Sequence, residues 1–90
     1  MIFESDIEAR LVNGVEKLGG LCPKFGMDGW PDRIVILPGG RLCFVELKRP
    51  DGEASKLQQW RAVLLRRLGQ VVHFPRCVED VDELLREWSE

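Results

Sequence analysis

The chain has 90 residues, of which 44% are hydrophobic and 31% charged, with a formal net charge of −2. That length makes one small domain with one core, residues 1–90, near the lower range for independent stability, so self-association is expected. The composition is globular and excludes a disordered chain, and no apolar run approaches the ~20 residues of a membrane span.

Met1-Ile2-Phe3-Glu4 lacks a basic region followed by an apolar one, so no signal peptide is expected and the setting is read as cytoplasmic. Ser5-Asp6-Ile7-Glu8 reads as a helix start, with Ser5 at the N-cap and Glu8 closing a capping box. Ile7, Leu11, Val15 and Leu18 recur at helical spacing, and Gly19-Gly20 stops the helix. Projected at ~100° per residue, Glu8 falls within or beside the apolar arc. A carboxylate pointing inward needs a partner, so capping and a role in a site both stay open for it. Glu4 and Glu16 are weaker candidates.

Leu21 to Phe25 is a short apolar segment expected as a first strand, at an edge because Pro23 cannot donate to a ladder. Lys24 in it can reach phosphate or be simply solvated. Gly26 to Gly29 is loop. Arg33 to Leu37 and Arg41 to Lys48 then read as two strands joined by Pro38-Gly39-Gly40, a strong turn signal. Arg49-Pro50-Asp51-Gly52-Glu53-Ala54 ends the second arm. Ser55-Lys56-Leu57-Gln58 starts a second helix with a Ser-x-x-Gln capping box, and Leu57, Trp60, Leu64 and Leu68 are expected to form its inner face. Gln70 to Phe74 is a further strand. A strand, helix, strand succession of this spacing implies a parallel crossover. Val78, Val81, Leu85 and Trp88 give a last amphipathic helix, a core cover or a dimer surface.

The chemistry concentrates in the hairpin. Side chains alternate along a strand, so Glu46 and Lys48 share a face while Val45 and Leu47 point the other way. Asp32 stands at the mouth of the first arm, and the hairpin folds that end back beside Glu46. Carboxylates and an ammonium in an apolar strand are costly unless paired or metal-bound. Two gathered carboxylates repel, and hard oxygen ligands suit Mg²⁺ or Mn²⁺. Lys48 can then orient a water or steady charge on a phosphate. The plain alternative is a Glu–Lys ion pair on a solvated face. Asp28 is a rival to Asp32 but lies in the loop. Trp30 is a loop anchor or a base-stacking residue. The lone histidine, His73, reads as packed. Cys22, Cys43 and Cys77 are odd in number and widely spaced, fit neither a disulfide framework nor a zinc site, and read as reduced thiols.

Charge is unevenly spread. From Arg41 to Arg67 seven basic residues face three acids, whereas from Cys77 to Glu90 six acids face Arg86 alone. The middle can therefore be a phosphate-facing surface while the tail faces away.

Ile7-Glu8, Gly29-Trp30-Pro31-Asp32-Arg33, the Pro-Gly-Gly hairpin, Glu46-Leu47-Lys48 and Ser55-Lys56-Leu57-Gln58, in that order, resemble the VRR-NUC (virus-type replication-repair nuclease) branch of the PD-(D/E)XK superfamily. The resemblance runs from about Glu4 to about Val81. Trp30 departs from it, standing where a smaller aliphatic residue is expected. It implies an α/β fold, the minimal restriction-endonuclease-like core, with a mixed central sheet flanked by helices in the order αβββαβα. It further implies a phage- or bacterium-encoded DNA endonuclease. Asp32, Glu46 and the Leu47 carbonyl would hold Mg²⁺ or Mn²⁺, with Glu8 supporting directly or through water. Lys48 would position the attacking water and Gln58 would assist. Arg49, Lys56 and Arg61 would contact backbone phosphate. Stand-alone members look structure-selective, and a homodimer cutting four-way junctions is the most economical case. The alternatives are a monomeric nuclease of flaps, hairpins or duplex, and a non-catalytic nucleic-acid-binding module on the same fold.

Overall fold

The computed structural model describes residues 3–48 and 52–90. The first helix, α1, spans Glu4–Lys17 and begins two residues earlier than an N-cap at Ser5 would set it. Phe3 is the N-cap, and its backbone N–H donates to Asp6 Oδ2 at 3.1 Å. The expected Ser5–Glu8 capping box is therefore replaced by half of one: Asp6, three residues after the true N-cap, accepts the Phe3 N–H, and Phe3 has no side-chain oxygen to complete the pair. Glu8 is left free for another partner. The helix ends at Gly19, whose φ of 85° suits a residue without a Cβ; Gly20 N–H then donates to Val15 O at 3.0 Å, sealing the last turn.

Strands β1 (Arg33–Leu37) and β2 (Arg41–Val45) pair antiparallel across Pro38–Gly40, with Ile34 opposite Phe44 and Val35 opposite Cys43. Strand β3 (Val72–His73) pairs with β2 in parallel, giving a mixed sheet in the order β1-β2-β3. Bonds from Phe44 N–H to Val71 O, Glu46 N–H to His73 O and Lys48 N–H to Pro75 O carry the parallel ladder beyond the strand ends. The segment expected as the first strand, Leu21 to Phe25, runs along β1 as two isolated antiparallel bridges, Leu21 with Ile36 and Lys24 with Arg33. Pro23 interrupts it there, as a residue without an N–H must. The order of elements is that expected for an αβββαβα chain.

Alternation sorts the sheet's two faces. Val35, Leu37, Cys43, Val45 and Leu47 pack with Ile7, Leu11 and Val15 of α1 and with Val81 and Trp88 of the last helix, α3 (Val78–Trp88). The last helix is thus a core cover. On the opposite face, helix α2 (Lys56–Arg67) packs Ala62 and Leu65 against Val72, with Trp30, Phe44 and Phe74 around them. This corrects the expected inner face of α2. Leu57, Trp60 and Leu68 are all exposed, and the helix turns Ala62 and Leu65 inward instead. The short Ala62 lets the helix lie close over the large Phe44 and Phe74 rings, a fit that Leu57 or Trp60 would prevent.

Candidate active site

The register of the hairpin extends one step past β1 and β2 to set Asp32 opposite Glu46. The two residues grip each other's backbone. Glu46 Oε1 accepts from the Asp32 N–H at 3.0 Å, and Asp32 Oδ2 accepts from the Leu47 N–H at 3.0 Å. Each carboxylate spends one oxygen on this lock, so both are fixed in place by main chain rather than by flexible partners. The lock exists because Pro31 and the end of β2 leave these amides outside the regular ladder.

Glu46 is 1% exposed. Its Oε2 is buried without a hydrogen-bond partner among the described residues, and Lys48 Nζ stands 3.3 Å away. Burial, then the hydrogen bonding and charge of Asp32, push the Glu46 carboxyl from 4.5 up to about 7, against the opposing pull of Lys48. Asp32, Glu46 and Lys48 are therefore brought together as their spacing suggested, with Leu47 buried between the last two.

Glu8 sits apart from this cluster. Its Oε2 accepts from Arg33 Nε at 3.1 Å and pairs with Arg33 Nη2 at 3.0 Å, while Arg33 Nη1 donates to the Cys22 carbonyl at 2.7 Å. Glu8 and Asp32 nonetheless line one cavity of about 340 Å³, with Glu4, Lys24, Phe25 and Gly26. Arg33 escaped the reading of the sequence. A usable signal was present: Glu8 lies on the inner arc of its helix, and a cation at an odd position of β1 faces that helix.

Gln58 closes the capping box expected of it, its Oε1 accepting from the Ser55 N–H at 3.0 Å and its N–H donating to Ser55 Oγ at 3.1 Å. Trp30 packs as an anchor, 5.1 Å from the Phe25 ring and 6.4 Å from Phe44. Arg61 lies over Trp30 at 4.6 Å and 5.4 Å from Trp60, held between the indoles rather than extended to solvent. Lys56 is exposed on the first turn of α2, and Arg49 falls outside the described residues. His73 packs edge-on against Trp88, and burial lowers its pKa. The three cysteines are free, and burial pushes Cys22 and Cys43 up to about 11, which leaves both as inert thiols.

Among the described residues no three His, Cys, Asp or Glu side chains converge to form a complete ion cage. The donors that do come together are hard oxygens, those of the Asp32 and Glu46 carboxylates, each with one oxygen left over from the lock. A buried carboxylate oxygen with no hydrogen bond and a carboxylate neighbour fits a small divalent cation, which keeps several waters and needs only one or two protein carboxylates. No helix among the described residues is long and apolar enough to cross a membrane.

The chain matches no family model. It is 41% identical over 75 residues, 80% of its length and 81% of the relative's, to "Putative nuclease p44" of Acyrthosiphon pisum secondary endosymbiont phage 1. A solved VRR-NUC domain superposes on it with a TM-score of 0.87 at 30% identity, covering 94% of this chain and 96% of that one. With the hairpin lock, the mixed sheet and these two likenesses, the chain belongs to the VRR-NUC family of nucleases.

Proposed function

We propose that the protein is a divalent-metal-dependent, structure-selective DNA endonuclease, most economically a homodimer acting on four-way junctions. The observation that carries this reading is the reciprocal lock of Asp32 and Glu46 beside Lys48, a costly buried arrangement that a bare structural hairpin does not need. Mg²⁺ or Mn²⁺ held by Asp32, Glu46 and the Leu47 carbonyl would supply charge stabilisation at the phosphorus and an acidified water. The backbone amides of Asp32 and Leu47 keep both carboxylates aimed without reorganisation. Lys48 Nζ, tethered at 3.3 Å to Glu46, orients the attacking water and offsets charge on the phosphoryl oxygens. Glu8, fixed by Arg33 on the cavity wall with Asp32, supports the site through water. Gln58 holds its place through the cap and leaves its amide nitrogen for a phosphate or water. Water adds to phosphorus, one P–O ester bond breaks, and the products are a phosphomonoester and a hydroxyl. Lys56, exposed on the first turn of α2, is the described residue assigned to backbone phosphate, since the indoles of Trp30 and Trp60 hold Arg61; a small core of this kind reads shape and backbone more than sequence.

The homodimer is supported by the outward stripe of α2. Leu68 is 76% exposed, Trp60 53%, and Leu57 is exposed beside them. Leu21, Ile36 and Leu42 form one cross-strand row, also exposed, on the sheet face that α2 leaves uncovered. Leu57 lies against Gly29 and Arg61 over Trp30, which puts this flank of α2 on the side of the segment that leads into β1. A two-fold partner would need to bury ~800 Å² per side for a stable interface, with these exposed apolar side chains at its centre. A two-fold axis between helix and row would lay each helix on the other copy's sheet.

The deciding experiment is a panel of four-way junction, flap and plain duplex with Mg²⁺ or Mn²⁺, using wild type, Asp32→Ala and Lys48→Ala. Wild type is expected to cut the junction and both variants to lose at least ~100-fold in rate. Robust cleavage by folded, contaminant-free Asp32→Ala protein removes the assignment.

A further inference from the structure

We propose that Lys24 is a phosphate-binding residue of the active-site cavity, taking a non-bridging oxygen of the nucleic-acid backbone beside the bond that is cut. The inference rests on the nuclease reading above and adds to it a contact that the motif residues do not provide.

The cavity that opens on Asp32 is acidic. Glu4, Glu8 and Asp32 line it, and Lys24 is the one cation among its lining residues. A polyanion entering such a wall needs positive charge on its path. The other cations near the site are already engaged. Lys48 pairs with Glu46, Arg33 pairs with Glu8 and the Cys22 carbonyl, and Arg61 is held between two indoles. Among the described residues Lys24 makes no ion pair, since the pairs that form are Arg10–Asp82, Arg33–Glu8 and Lys48–Glu46.

Its placement is fixed by main chain, which separates it from a lysine on a loose loop. Lys24 forms an antiparallel bridge with Arg33, the residue after Asp32. On one side Ile34 N–H donates to Pro23 O at 3.1 Å, and on the other Phe25 N–H donates to Asp32 O at 2.8 Å. The Lys24 Cα is therefore held opposite Arg33, one residue from Asp32, while its flexible stem leaves the ammonium free to meet a phosphate. The next residue but one, Gly26, has open space around it: a Cβ there would meet nothing within 4 Å. A nucleic-acid backbone can approach at this point without clash. The simpler reading, a solvated lysine, predicts no effect on binding beyond that of any distant surface charge.

The test is equilibrium binding of a fluorescently labelled four-way junction in EDTA, measured by anisotropy from 50 to 200 mM NaCl. It uses wild type, Lys24→Ala and Lys24→Arg, each checked by thermal melting. Lys24→Ala is expected to bind several-fold more weakly at the lowest salt, with the slope of log affinity against log salt reduced by about one, the signature of one lost phosphate contact. Lys24→Arg is expected to keep both slope and affinity. Calorimetric Mn²⁺ binding without DNA should survive in both variants. Lys24→Ala protein with wild-type slope and affinity overturns the proposal, as does wild-type protein that binds no junction. Wild-type protein that binds the junction but cuts nothing removes the nuclease reading instead, and the salt slope still decides Lys24.

Discussion

Replacing Glu46 by Gln isolates the cost of burying the carboxylate. Glutamine keeps the shape and keeps an oxygen to accept the Asp32 N–H, but it removes the negative charge whose second oxygen lies buried without a hydrogen bond. In the folded protein burial and Asp32 raise this carboxyl from 4.5 to about 7. A raised carboxyl means the native state binds more protons than the unfolded chain between those values. Stability must then fall as pH rises from about 4.5 to about 7, be flat above that, and carry no such penalty below. The span corresponds to roughly 3 kcal/mol. That span is already net of the attraction to Lys48 at 3.3 Å; an amide mimics the protonated carboxyl imperfectly, so the expected gain for Glu46→Gln at pH 8 in EDTA is about 1–3 kcal/mol. For a domain of this size that raises the melting temperature by ~5 °C or more. Urea unfolding at pH 4, 6 and 8 measures it. The gain should be near zero at pH 4, partial at pH 6 and full at pH 8, while Mn²⁺ binding is lost. A variant less stable than wild type at pH 8, or a gain of equal size at all three pH values, would refute the reasoning.

Two further outcomes are expected. Leu68→Glu places a charge in the exposed apolar stripe of α2 and should convert a dimeric wild type to a monomer in light scattering, without loss of melting temperature; a dimer of unchanged mass moves the interface elsewhere on the surface. Ser55→Ala removes the acceptor for the Gln58 N–H at 3.1 Å and should cost about 1 kcal/mol in urea unfolding. A loss within error of zero would mean that water replaces the cap.

The hairpin and the meeting of Asp32 with Glu46 were legible because they are local. Pro38-Gly39-Gly40 sets the turn, period-two alternation sets the faces, and both together carry Asp32 to Glu46 before any tertiary contact is known. The second capping box was legible for the same reason, since Ser55 and Gln58 need only each other. The first was not. Two overlapping acids, Asp6 and Glu8, can each close a box, and the choice depends on where the helix starts relative to Phe3.

The outward stripe of α2 shows the limit most clearly. Helical periodicity reports that Leu57, Trp60, Leu64 and Leu68 share a flank, but it does not say what covers that flank. The sheet offers α2 large rings, Phe44 and Phe74, and accepts the smaller Ala62 and Leu65 against them. Likewise the sequence placed Glu8 on an inner arc, and only the packing of α1 beside β1 supplied Arg33 as its partner. What the chain specifies by itself is each element and the side that each residue takes, because those follow from backbone geometry. Which sides meet is decided when large and small side chains from distant segments must fill one volume, and that competition exists only in the folded molecule.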